Sequence, residues 1–193
     1  MDWVNSLGFD AITVDLPFFR LKNFRHRIPL SQNWKFGIRH ICADKIESVL
    51  GSLPENKFLF SFSEASVAAL MAIARRHAID IKAWICEGGP SEDLTLSMNR
   101  LHAWIWGIWH YQYDSDCDLH SLPMGFPVVS VRSEQDPIIP SENIDNFFAN
   151  SFNHIDLQRV TLHRDGHISA LNGESELYKQ IIGGVLTSRG SPI

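Results

Sequence analysis

The stretch from Lys57 to Ala74, KFLFSFSEASVAALMAIA, constrains the fold more than any other part of the chain. It opens on large apolar residues, with Phe58, Leu59 and Phe60 reading as a buried strand. From Glu64 onward, Val67, Leu70, Met71 and Ala74 recur three and four positions apart, the period of a helix. Neither Gly nor Pro separates the two patterns, so the backbone must swing from strand into helix within Ser61–Ser63. A serine held on such a turn points its Oγ away from the sheet, toward the N-terminus of the helix. Unpaired N–H groups and the positive end of the helix dipole at that point favour developing negative charge. The geometry is that of a nucleophile elbow centred on Ser63. The bland alternative is that Ser63 caps its helix, with Oγ bonded to the N–H of Ser66. Ser61 and Ser66 are weaker nucleophile candidates, one on the strand and one on the helix.

The rest of the chain supplies further strands and helices in alternation. Short apolar or β-branched runs at Ala11–Asp15, Asp80–Cys86, Pro127–Arg132 and Arg159–His163 read as strands. Residues 2–7, Ile38–Leu50, Leu94–Tyr113, Ser141 to about Asn150, and Glu174–Leu186 read as helices. Gly8 stops the first helix, and Gly88–Gly89–Pro90 breaks the strand before it. The expected fold is therefore an α/β domain over residues 1–193, built on a mainly parallel sheet of about five strands with flanking helices. Residues 91–125 are a candidate small lid. Its helix is strongly aromatic: Leu101, Trp104, Ile105 and Ile108 make one face, while Trp106 and Trp109 fall off it. Core packing and the wall of an apolar pocket explain this helix equally well.

Length and charge narrow the classes. A chain of 193 residues buries enough surface to need no covalent staple. A net charge of −5 argues against a dedicated nucleic-acid binder, and the one basic stretch, Arg20–Arg39, reads as a solvated loop. The three cysteines, Cys42, Cys86 and Cys117, form no C-x-x-C pair. They suggest neither a disulfide framework nor a thiolate metal site. Asp114–Asp118 begins like a calcium loop but has Leu119 where Gly is required and Gly125 where Glu is required. His102, His110 and His120 lack metal-ligand spacing. No metal and no cofactor are expected. No segment reaches the ~20 apolar residues of a membrane span, and the N-terminus has no signal-peptide pattern. The expected setting is cytoplasmic.

In a parallel α/β sheet, ligands sit beyond the carboxyl ends of the strands. Ser63 follows one strand there. Ser133–Pro140, SEQDPIIP, follows another and contains Asp136, with Glu134 as the fallback acid. Arg164–His167 follows the last and ends on His167. Asp136 before Pro137 is also an ordinary turn residue, and Asp165 reads as a turn former. His163 lies within the strand pattern and reads as packed or solvated.

The order Ser63…Asp136…His167 resembles the α/β-hydrolase superfamily over nearly the whole chain. LGFDAITVDLP looks like the family's strand ending in Asp-Leu-Pro. SFSEAS stands where the family has G-x-S-x-G, with Ser61 and Ala65 in place of its glycines. SEQDPIIP is similar to its acid loop, and DGHIS resembles its Gly-His loop. The resemblance implies a serine hydrolase of an apolar acyl ester or thioester. Ser63 would be the nucleophile, His167 the general base, Asp136 its orienting carboxylate, and the Glu64 N–H an oxyanion donor. Trp104, Trp106 and Trp109 would line the substrate pocket. The family's strand and loop that give a second oxyanion donor would precede Met1, so the resemblance implies a truncated fold, a missing N-terminal segment, or an oligomer. The alternatives are a non-catalytic scaffold binding a ligand or protein through the aromatic helix, and an acyltransferase.

Overall fold

The computed structural model describes residues 2–16, 38–91, 119–149, 151–163, 166–168 and 175–190. Strands form at the apolar runs: β1 (Lys57–Phe62), β2 (Ile81–Glu87), β3 (Phe126–Ser133) and β4 (Ile155–Leu162). Helices α1 (Asp2–Ser6), α2 (Ile38–Ser52), α3 (Ala65–Arg75), α4 (Ser141–Ala149) and α5 (Ser175–Arg189) lie between and around them. The four strands make one parallel sheet in the order β1–β2–β3–β4.

Both faces of the sheet are covered. On one face, Trp84 and Cys86 of β2 and Val128 of β3 pack against Ala43 and Ile46 of α2, Leu70 of α3, and Phe147 and Phe148 of α4. On the other, Ala83, Ile85, Val129 and Val131 meet Tyr178, Ile182 and Leu186 of α5, with Trp3 and Leu7 of the N-terminal segment beside them. A strand buried on both sides cannot alternate apolar with polar, which is why β2 and β3 read as continuous apolar runs. The result is a three-layer sandwich with every strand pointing the same way, so all four carboxyl ends open on one rim.

The two edges of the sheet differ. β4 exposes Asp156, Gln158 and Arg159, and the charged pair is engaged: Arg159 meets Asp145 at 3.1 Å, and Arg189 meets Asp156 at 2.6 Å. Charged side chains of this kind keep an edge from pairing further. β1 instead carries half-buried Phe58, Leu59 and Phe60, and among the described residues only β2 pairs with it.

Two sequence expectations need correction. Ala11–Asp15 is irregular, not a strand, so the described sheet has four strands rather than about five. Ile12 and Thr13 are exposed; propensity alone does not make a strand. The last strand begins at Ile155, four residues before the expected Arg159, because the polar residues of an edge strand hide it from a search for apolar runs. The candidate lid helix with Trp104, Trp106 and Trp109, the acidic Asp114–Asp118 stretch, most of the basic Arg20–Arg39 stretch, and Asp165 lie outside the described residues. Among the described residues no helix is long and apolar enough to cross a membrane.

Candidate active site

Each strand delivers one piece of the site at its carboxyl end. β1 ends at Phe62, and the chain turns at once into α3, whose N-cap position is Glu64. The turn requires a left-handed backbone at Ser63, with φ of 50°. An L-residue other than Gly rarely adopts that conformation without support from its surroundings. Here the Ser63 N–H donates to the Glu87 carbonyl of β2 at 2.8 Å, and the Ser63 carbonyl accepts the Ser66 N–H at 2.9 Å. The hydroxyl is thereby left free of the capping role that the sequence also allowed. It faces the Nε2 atom of His167 at 2.7 Å.

His167 lies after β4. Its backbone neighbours Gly166 and Ile168 both have positive φ, 120° and 56°, so the chain bends sharply on either side of the imidazole. The Nδ1 atom meets Asp136 Oδ2 at 2.7 Å. The imidazole side chain is 12% exposed and the Asp136 side chain 2%.

Asp136 is fixed by its own loop. Its Oδ1 accepts the N–H groups of Ile138 and Ile139 at 2.8 and 2.9 Å. Pro137, between Asp136 and these two residues, has no N–H to compete and a preset φ, so Asp-Pro-Ile-Ile closes around one carboxylate oxygen and leaves the other for the ring. Ile139 is buried in the core and anchors the loop. Glu134, the fallback acid, pairs instead with His163 on the surface at 3.0 Å.

β2 contributes Gly88 and Gly89, whose sequence reading went no further than the end of a strand. A Cβ on Gly88 would lie 3.1 Å from His167 Cε1, and Gly88 itself has φ of +63°. A Cβ on Gly89 would lie 2.7 Å from the Ser63 carbonyl oxygen. The chain leaving β2 therefore runs directly beneath the Ser63 turn and beside the ring; a Cβ would collide with backbone at Gly89 and crowd the ring at Gly88. A Gly-Gly pair immediately after an apolar strand was the available signal.

The charge pattern suits an oxyanion beside Ser63. The N-terminus of α3 points there, and the Glu64 N–H follows the serine directly. The Glu64 carboxylate would oppose negative charge at that spot, but it is ion-paired with Arg39 of α2. Cys42 and Cys86 are buried free thiols. Burial, and next the Glu64 charge, push Cys42 up to about 12. Burial also pushes Cys86 up. Tyr178 is likewise raised, by burial first and then by the charge and hydrogen bond of Glu87. Among the described residues no group of three or more His, Cys, Asp or Glu side chains could hold a metal ion.

The structure thus brings Ser63, His167 and Asp136 together in a hydrogen-bonded row and sets Glu64 beside them. Trp104, Trp106 and Trp109 lie outside the described residues.

No protein-family model matches the chain, and no curated protein matches it. Solved structures do. The chain is similar to a monoacylglycerol lipase from Paleococcus ferrophilus, with a TM-score of 0.58 at 14% identity over 79% of this chain and 76% of that one. It is similar to Est1E from Butyrivibrio proteoclasticus, with a TM-score of 0.57 at 15% identity over 78% and 70%. A Pyrococcus furiosus esterase, Pf2001, matches with a TM-score of 0.57 at 11% identity over 79% of this chain but only 62% of the esterase. These likenesses establish an α/β-hydrolase fold, of which this chain spans a part.

Proposed function

Starting from an α/β-hydrolase fold, we propose that this chain is a serine hydrolase that cleaves an ester or thioester of an apolar acyl group. The observation that carries the proposal is the imidazole of His167, bonded on one side to Ser63 Oγ and on the other to Asp136 Oδ2, both at 2.7 Å. A serine hydroxyl is a poor nucleophile until a base takes its proton as the bond to carbon forms. Nε2 is at hydrogen-bond distance to do so, and Asp136 holds the tautomer with the proton on Nδ1 and stabilises the imidazolium that results.

In the first half-reaction Ser63 Oγ attacks the acyl carbon and its proton passes to Nε2. The carbonyl oxygen becomes an oxyanion facing the Glu64 N–H, a donor of a kind worth about 3 kcal/mol in the transition state. The tetrahedral centre collapses, the C–O or C–S bond breaks, and Nε2 returns the proton to the departing alcohol or thiol. In the second half-reaction water replaces the alcohol and frees the acid.

Exposed apolar side chains flank the row in sequence: Phe62 precedes Ser63, Ile138 follows Asp136 by two, and Ile168 follows His167. They favour an apolar acyl or alkyl group over a charged one. The solved neighbours named as esterases and lipases agree with this class. The candidate lid, with Trp104, Trp106 and Trp109, would supply the remainder of the pocket.

The test is labelling by a fluorophosphonate probe, followed by intact-mass analysis. Wild type should gain one adduct and Ser63→Ala none. Equal labelling of both proteins would remove Ser63 from the role. A p-nitrophenyl ester series of increasing chain length, run beside the matching thioesters, then identifies the preferred acyl group.

A further inference from the structure

The buried hydroxyls on either side of Ser63 play no part in the chemistry above. Ser61, two residues before Ser63, is 5% exposed, and Ser66, three residues after it, is 0% exposed. Ser61 Oγ donates to Ser66 Oγ at 3.1 Å and accepts the indole N–H of Trp84 at 2.8 Å. One residue is the penultimate position of β1 and the other the second of α3, so their bond spans the whole strand-to-helix turn.

We infer that the Ser61–Ser66 hydrogen bond is a clamp that positions Ser63, holding its left-handed backbone and therefore the direction of its hydroxyl. The two backbone bonds at Ser63 fix its N–H to β2 and its carbonyl to the start of α3. Neither ties the strand leading into the turn to the helix leading out of it. The side-chain bond does, and it does so inside the core, where water offers the hydroxyls no alternative partner. The left-handed residue is Ser63 itself, with φ of 50°, and it is not a glycine, so its strained backbone has to be held by its surroundings. The clamp makes Ser61 and Ser66 positioning residues, which meet no substrate.

A purely structural account competes with this one. On that account, Ser61 merely satisfies the buried Trp84 N–H. The two bonds of Ser61 separate the accounts, because one can be removed without the other. Ser66→Ala breaks the bond across the turn and keeps the one to Trp84. Trp84→Phe does the reverse.

The inference rests on the hydrolase reading for its effect on rate, so the experiment carries a second readout that does not. Fluorophosphonate labelling gives the maximal inactivation rate and the half-saturating concentration. Hydrogen–deuterium exchange of the peptide spanning 61–66 gives the mobility of the turn. Ser66→Ala should lower the maximal rate roughly tenfold or more, as a small misplacement of a nucleophile does. It should leave the half-saturating concentration within about twofold and speed exchange at the turn. Trp84→Phe should melt at a lower temperature with rate and exchange at the turn near wild type. Should Ser66→Ala fold poorly, Ser66→Thr, which keeps the hydroxyl, should hold both readouts near wild type. Faster exchange in Ser66→Ala with no labelling in any protein would uphold the clamp and reject the hydrolase reading. Unchanged exchange in Ser66→Ala, or an equal loss of rate in Trp84→Phe, would overturn the clamp.

Discussion

On its Nδ1 side the His167 ring meets a carboxylate fixed by directed hydrogen bonds alone; on its Nε2 side it meets a hydroxyl whose turn is hydrogen-bonded and also hemmed in by the backbone leaving β2. Asp136 has one oxygen in a cradle of two backbone N–H groups and the other on the ring. Its loop could tolerate added bulk at Ile138, which faces solvent, but not a changed pattern of donors and acceptors. Around Ser63 close packing is added to the hydrogen bonds. The β2 backbone passes so close that no side-chain atom fits at Gly89. The two sides of one imidazole should therefore differ in what they tolerate: the acid side fails under an isosteric change, and the Ser63 side fails also under a single methyl added at Gly89.

The largest effect expected from this contrast is on the acid side. Asp136→Asn preserves shape but presents an N–H₂ group either to the ring or to the cradle. The two N–H donors of the cradle keep the amide oxygen, so the N–H₂ group faces the ring, the imidazole is left in the wrong tautomer, and labelling should slow by roughly 10³–10⁴-fold. The protein should fold normally by circular dichroism. A loss below about tenfold would mean the acid side is not the sensitive one.

Next comes Gly89→Ala. Its Cβ would press on the carbonyl of Ser63, which is backbone and cannot rotate aside. Labelling should slow by about 10²-fold, with a lower melting temperature. Asp136→Asn should show no such fall in melting temperature, and equal melting curves for the two variants would erase the proposed distinction. Gly88→Ala should be milder. Its new methyl meets the edge of a ring that can tilt, at 3.1 Å, though in a left-handed backbone. A loss of about tenfold is expected in the same assay.

The smallest effect concerns groups that serve neither side. The Cys42 thiol, ordinarily near 9.0, is pushed up to about 12 by burial and by Glu64, and Cys86 and Tyr178 are raised as well. A raised folded-state value means that the unfolded chain loses its proton first. The associated stability is whole below the ordinary value and declines as pH climbs toward the folded one. Melting temperature should hold up to about pH 9 and then fall. Iodoacetamide at about pH 8 should leave Cys42 and Cys86 unmodified, since burial disfavours their thiolates. Peptide mapping of Cys86, which pairs with Ser61 in the β1–β2 register, would check that the native thiol stays unmodified.

The same contrast governs what could be read from the sequence. Ser63, Asp136 and His167 were legible because each stands a few residues beyond an apolar run, and a parallel sheet collects such positions on one rim. The Asp-Pro-Ile-Ile cradle was partly legible, since Pro after Asp announces a turn with its donors further on. The crowding was not. Gly88–Gly89 reads as a strand terminator, and nothing local says which chain passes overhead. Ser61 and Ser66 stood out as spare hydroxyls, but their bond to each other depends on the angle at which strand meets helix. The missing strand at Ala11–Asp15 and the early start of β4 share one cause: whether a segment becomes a strand depends on its neighbour as much as on its own residues.

Ser63 and His167 stand 104 positions apart in the chain, beyond the carboxyl ends of β1 and β4, the outermost strands of the sheet among the described residues. Their contact cannot form until every intervening layer has assembled in register, because β2 and β3 set the distance between them. A covalent adduct on the serine would thus be a census of whole molecules: chains that have folded one margin of the sheet but not the other would go uncounted.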